Sequence, residues 1–159
     1  MKQLAACLEI IALSVLLALS GCSMRGKDEI LSITASKHPG FQAQRAIELE
    51  VRIKIKKDWH INAHDVADQF MVPTYLEMSP GPFAAGPTAY PPPTKRAEIA
   101  GIKMQLYDGS ITIIVPVVLR PDFMGNKIEM RGELNYQPCD NLQCLEPRKT
   151  GFYTKIDLQ

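Results

Sequence analysis

A surplus of charge of one sign is missing from this chain. Its 18 Lys+Arg stand against 17 Asp+Glu, a formal net charge of +1. Without such a surplus there is no global positive field to hold phosphates, which argues against a nucleic-acid binder. Disorder is excluded for a related reason, since it requires low hydrophobicity with high net charge, and here 46% of residues are hydrophobic. With 159 residues the chain is also too short for a large multi-domain enzyme; single domains run about 100–200 residues. It lacks any apolar run near the roughly 20 residues a membrane-spanning helix needs. Internal repeats are absent, and so is any long stretch with the spacing of an amphipathic helix.

What is present begins with a leader. Lys2 precedes an apolar run from Ile10 to Leu19 (IIALSVLLAL), with Glu9 at its edge. The run is too short to span a bilayer but suits the apolar region of a signal peptide. Leu19-Ser20-Gly21-Cys22 follows and resembles the lipobox of bacterial lipoproteins, in which the chain is cut before a lipid-modified cysteine. An ordinary signal peptide with an incidental cysteine is the plainer alternative. The expected organisation is a lipoprotein signal over 1–21, lipidation at Cys22, a tether over 22–28 and one domain over 29–159. Ser23 resembles the outer-membrane sorting pattern of a Gram-negative lipoprotein. The domain is then expected to be exported, facing the periplasm and held to the membrane by lipid alone.

Cysteine use becomes informative at this point. Cys7 leaves with the signal and Cys22 takes lipid, so Cys139 and Cys144 remain as thiols. A lone pair in an exported domain is expected to be oxidised at least part of the time.

The body of the chain alternates as strands do. Ile47, Leu49, Val51, Ile53 and Ile55 interleave with Glu48, Glu50, Arg52, Lys54 and Lys56, which predicts one buried and one wet face. Ile128, Met130, Gly132, Leu134 and Tyr136 alternate in the same way with Lys127, Glu129, Arg131, Glu133 and Asn135. Ser110–Leu119 is apolar on both parities, as a more central strand is, and Pro116 in it predicts a bulge or an edge-facing position. Asp108-Gly109 reads as a hairpin turn, and Gly125-Asn126 as a further turn. Weaker strands are expected at Glu29–Ala35, Thr74–Met78, Lys103–Tyr107 and Phe152–Leu158. Ser79–Arg96 holds six prolines and reads as a long extended loop, of a length that is more often functional than incidental. Seven or eight short strands predict an all-β, immunoglobulin-like antiparallel sandwich. Trp59 is expected as a core anchor and Tyr136 on the inward face.

Four residues separate Cys139 from Cys144, enough for a tight turn that brings the sulfurs into bonding range. As a staple such a bridge is weak, about 2 kcal/mol in the chain-entropy picture. Redox proteins favour short-range pairs because the resolving thiol is always near. Spacing alone does not choose between a bridge that pins a hairpin and one that exchanges. Local charge does not choose either: Asp140 and Glu146 disfavour a thiolate, while Arg148 and Lys149 favour it.

The chain resembles the N-terminal periplasmic domain of DsbD, the thiol:disulfide interchange protein. The resemblance is carried by Trp59-His60-Ile61-Asn62-Ala63, Val72-Pro73-Thr74, Tyr90-Pro91, Val115-Pro116-Val117 and, most specifically, Leu134-Asn135-Tyr136-Gln137 leading into Cys139, Cys144 and Pro147. It spans roughly Ile30 to Leu158. It implies an immunoglobulin-like domain with a redox-active cysteine pair and no cofactor or metal, working as a component of a protein-disulfide oxidoreductase. Electrons would arrive from a membrane-embedded donor through a thioredoxin-like domain. They would leave to thioredoxin-fold partners, either disulfide isomerases or proteins of cytochrome c maturation. By the same resemblance, Cys144 forms the mixed disulfide and Cys139 resolves it. The cysteine loop is shorter than in the best-known members. Where they carry an aromatic cap, the corresponding stretch Arg96–Gly101 offers only Ile99 as an active-site cover. The transmembrane and thioredoxin-like parts have no counterpart in this sequence, so the donor is expected to be a separate protein.

Two other functions compete. One is a lipid-anchored, non-catalytic β-domain that binds a partner and whose disulfide is inert. The other is a copper-binding lipoprotein, for which His60, His64, Met71, Met78, Met104, Met124 and Met130 together with the two thiols are soft donors.

Overall fold

The computed structural model describes residues 30–39, 45–66, 71–99 and 101–158. The expected signal peptide, Cys22 and tether lie outside the described residues. Eleven strands follow in order: β1 (Leu31–Lys37), β2 (Ala46–Ile55), β3 (His60–Asn62), β4 (Tyr75–Met78), β5 (Phe83–Ala85), β6 (Lys95–Ile99), β7 (Ile102–Tyr107), β8 (Ser110–Leu119), β9 (Lys127–Tyr136), β10 (Pro138–Cys139) and β11 (Arg148–Asp157). No helix occurs among the described residues, so none there is long and apolar enough to cross a membrane.

Alternation sets the faces. Ile47, Leu49, Val51, Ile53 and Ile55 of β2 are buried, as are Ile111, Ile113, Val115, Val117 and Leu119 of β8. β1, β2, β8 and β5 form one antiparallel sheet in that order, and β11, β9 and β4 form another. Their inner faces meet in one core, to which β9 contributes Ile128, Met130, Leu134 and Tyr136 and β11 contributes Phe152 and Ile156. Gly132 takes an inward position on β9 because a Cβ there would lie 2.7 Å from both the Phe152 ring and the Glu77 carbonyl. A third sheet, in the order β10-β3-β7-β6, joins the other two. β9 enters it through Gln137 alone, and β7 leaves it for β8 through Asp108-Gly109. The architecture is an immunoglobulin-like, all-β sandwich, as the strand pattern predicts, and Trp59 packs half-buried against its core.

Two local expectations change, and one of two alternatives is selected at Pro116. Asp108-Gly109 closes no hairpin: β7 pairs with β3 and β6, whereas β8 pairs with β2 and β5. The dipeptide is a corner between sheets. Gly109 supplies a φ of 62° there, and Asp108 is tied to Thr94, whose hydroxyl donates to Asp108 Oδ1 at 2.7 Å. Pro116 makes no bulge, since the β2–β8 register runs unbroken from Ala46↔Val118 to Lys54↔Ser110. Its carbonyl accepts from Gly86 N at 2.7 Å, so its missing N–H faces Gly86 just beyond the end of β5, where only the reciprocal bond is given up.

The proline-rich stretch is also more than a loop. It contains β5, exchanges two bonds between Ala89 and Ile114, and enters β6 at Lys95. Proline is tolerated there because the segment is the outer edge of its sheet. Tyr90 and Pro91 are clamped to the body: the Leu76 N–H donates to the Tyr90 hydroxyl at 2.9 Å, the Tyr107 hydroxyl donates to the Pro91 carbonyl at 2.8 Å, and the His64 ring stacks on Tyr90 with centroids 3.7 Å apart.

Ile113, fully buried in β8, and Val118, 54% exposed on the same strand, make a matched test. Ile113→Ala is expected to lower stability by about 2–5 kcal/mol. Val118→Ala is expected to stay within about 0.5 kcal/mol. Urea denaturation of both variants checks this.

Candidate redox site at the cysteine loop

The site is built where β9 ends. After Tyr136, whose ring is buried in the core, the chain turns through Gln137 into β10, and β10 pairs with β3 in two rows, Pro138↔Ile61 and Cys139↔His60. The loop then folds back so that Cys139 and Cys144 face each other and are joined by a disulfide, with their Cα atoms 4.0 Å apart. Backbone bonds close the hairpin independently of the sulfurs: Asp140 N donates to Gln143 O at 2.9 Å and Leu145 N to Pro138 O at 2.8 Å. Within the loop the Asp140 carboxylate accepts from the N–H groups of Leu142 and Gln143 at 2.7 and 2.8 Å. This is an Asx-type turn, which fixes a short connection without glycine.

The two sulfurs are not equivalent. Cys139 is 1% exposed, covered by its pairing with β3, whereas Cys144 lies on the exposed arm of the hairpin. Leu142 between them is 93% exposed.

Directly opposed residues of an antiparallel pair project to the same face. His60 and Asn62 on β3 therefore share the face that carries Cys139, and Leu106 of β7 and Lys95 of β6 continue it. A polar chain braces the loop from below. Asn62 Nδ2 donates to Val72 O at 2.9 Å and reaches Gln137 Oε1 at 3.5 Å, and Gln137 Nε2 donates to Leu145 O at 3.1 Å, beside Cys144. Asn62 Oδ1 is buried without a hydrogen-bond partner among the described residues.

Electrostatics near the pair are set by burial and by the turn. Burial holds the His60 imidazole below its usual pKa, and nearby Lys95 adds to the effect, against the opposing pull of Asp108 and Asp140. The two backbone N–H groups that cap Asp140 hold its carboxyl below the ordinary range. That carboxylate is thus an ionised part of the turn and opposes a thiolate beside it.

Among the expected site residues, Cys139 and Cys144 are brought together. Ile99 is not brought to them. It pairs with Ile102 at the far end of the β6–β7 hairpin, while the Cys139 row meets β7 beyond Tyr107. Six residue steps of strand, about 20 Å, separate those two levels. Of the soft donors, His60 shares the Cys139 row, whereas the His64 Nδ1 lies 3.0 Å from the Thr74 carbonyl, Met130 is core, and Met124 is exposed. Among the described residues no group of three or more His, Cys, Asp or Glu side chains is placed to hold a metal ion. Asn62 and Gln137 as braces, and His60 as the neighbour of Cys139, were not assigned these roles from the sequence. The signal for them is parity: in Trp59-His60-Ile61-Asn62 the polar residues alternate with the core residue Ile61.

The family profile described as the N-terminal part of the thiol:disulfide interchange protein DsbD matches residues 28–155. The chain belongs to the DsbD N-terminal family. Its members are described as thiol:disulfide interchange proteins, and the Cys139–Cys144 bond is the group such interchange needs. Among solved structures, the N-terminal periplasmic domain of ScsB from Proteus mirabilis is similar at 16% identity and a TM-score of 0.52, covering 82% of this chain and 47% of that one. At that identity the likeness speaks for the fold alone, and this chain spans about half the length of the ScsB domain. The Neisseria meningitidis DsbD N-terminal domain, solved in its reduced form, is similar at 15% identity and a TM-score of 0.47, covering 74% of this chain and 85% of that one. No curated protein sequence matches the chain.

Two expectations follow for the site. Gln137→Leu removes the brace between Asn62 and Leu145 and is expected to cost about 1–2 kcal/mol in the oxidised domain, read by urea denaturation. For His60, the unfolded chain takes up a proton near the ordinary imidazole value of 6.5 while the folded chain resists it. Stability is therefore expected to be intact above that pH and to fall as pH drops below it. Comparing denaturation midpoints at about pH 5 and about pH 8, with His60→Gln expected to flatten the difference, checks the assignment.

Proposed function

We propose that this domain relays reducing equivalents by thiol–disulfide exchange between a membrane-associated, thioredoxin-like donor and thioredoxin-fold acceptors of the periplasm. Disulfide isomerases and proteins of cytochrome c maturation are the acceptor classes. The single observation that carries the reading is the asymmetry of the pair, with Cys139 buried against β3 and Cys144 exposed. In the reduced domain the Cys144 thiolate attacks one sulfur of an acceptor disulfide. A bond forms between Cys144 and the acceptor, the acceptor's own S–S bond breaks, and its second sulfur leaves as a thiolate. The Cys139 thiolate then attacks Cys144 Sγ, which re-forms the internal bond and frees the other acceptor thiolate. Two electrons pass in total, and the donor reverses the sequence to restore the dithiol. A bridge that only pins the hairpin needs no such difference between its sulfurs, and an exposed Cys144 is the one a partner can reach.

In this reading residues 1–21 are the export signal, Cys22 carries the lipid, and 22–28 tether the domain at the periplasmic face of the outer membrane. With Cys139→Ala the resolving thiol is gone, and a mixed disulfide through Cys144 with thioredoxin-fold proteins is expected to accumulate. Non-reducing gels followed by mass spectrometry read it. Cys144→Ala is expected to trap nothing, because Cys139 is out of reach. Equal trapping by both variants, or by neither, overturns the assignment.

A further inference from the structure

An open cleft of about 520 Å3 lies beside the cysteine loop, lined by Lys54, Lys56, Lys57 and Lys95 together with Trp59, His60 and Asn141. Asn141 lies between the two cysteines in the chain, and His60 occupies the same ladder row as Cys139, so the cleft adjoins the redox site. Its positive charge is a local feature, since the chain as a whole carries only +1. The two carboxylates that line it, Asp58 and Asp108, leave a surplus of two positive charges, and Asp108 already accepts a hydrogen bond from Thr94. None of the four lysines has an ion-pair partner among the described residues, although other surface cations do: Lys127 with Asp157 and Lys155 with Glu129. Four lysines around one concavity, only partly offset by Asp58 and Asp108, repel one another, an arrangement that a negatively charged occupant relieves.

We infer that this cleft receives an acidic segment of the protein that exchanges disulfides with Cys144, and that its lysines steer and orient the encounter. The inference rests on the exchange reading above. Exposed ion pairs add little affinity each. Their effect lies in encounter rate and in disfavouring wrongly charged partners, and it weakens with salt. The partner's chemistry is thereby specified: carboxylate side chains on the surface next to its own redox-active cysteine. Leu142, exposed at the loop tip next to Asn141, supplies an apolar contact beside the cleft.

Trp59 is the only tryptophan in the chain and lines the cleft, so its fluorescence reports occupancy without any thiol chemistry. The oxidised protein is titrated with hexaglutamate, with hexalysine and with phosphatidylglycerol vesicles. Hexaglutamate is expected to give a saturable change that disappears at high salt, and hexalysine none. Combining Lys56→Glu, Lys57→Glu and Lys95→Glu is expected to weaken binding on the order of tenfold. If that variant misfolds, the salt titration of the unaltered protein decides the same question. No response to hexaglutamate, an equal response to hexalysine, or a response to vesicles alone overturns the inference. A second arm mixes the reduced protein with a cysteine peptide activated as its thionitrobenzoate disulfide and flanked by either glutamates or lysines. Cys144 attacks the peptide sulfur and thionitrobenzoate leaves, which is followed by absorbance. The acidic peptide is expected to react faster at low salt only. A Trp59 response without thionitrobenzoate release sinks the exchange reading and leaves the cleft standing; release without a Trp59 response does the reverse.

Discussion

Two rows of backbone pairing between β10 and β3 are the constraint on which the rest of the site depends. They fasten a short hairpin to the end of the sandwich, bury one sulfur and leave the other on the free arm. The pairing is possible because β9 continues past the core with only Gln137 between it and β10. The long β9–β11 ladder, running from Lys127↔Asp157 to Tyr136↔Arg148, holds both ends of the loop at fixed positions. A rigid β scaffold thus ends in a small reactive tip, a common division between framework and function.

The elements legible in the sequence are those with enough length to show a period. β2 and β9, each of ten residues, declare their buried parity without ambiguity, and β8 does so through its β-branched residues. β3, β5 and β10 have two or three residues each and leave no period to read. They exist because neighbouring strands offer free edges, which is tertiary information. Asp108-Gly109 shows the same limit. The dipeptide correctly announces a reversal requiring positive φ, but whether that reversal joins partners or changes sheets depends on strands far away in sequence.

The cysteine pair was legible from its spacing and from the residues around it. Its asymmetry was not, because burial of Cys139 comes from His60 and Ile61, more than seventy residues earlier in the chain. Ile99 was placed by likeness to a family loop; the register that sets it opposite Ile102 depends on the β6–β7 pairing, which the sequence alone does not give. The lysine cleft gathers residues from β2, the turn after it and the start of β6. In sequence these look like ordinary wet-face charges, and only the fold brings them around one concavity.

The Asp140 turn and the Leu145–Pro138 bond do not pass through sulfur. Cleaving the bridge therefore leaves the hairpin standing, with the freed thiol held beside the one that has reacted. Little reorganisation separates the open and closed forms, so the second displacement is effectively unimolecular at high local concentration. In the proposed exchange, a mixed disulfide formed at Cys144 is thus resolved from within the same hairpin.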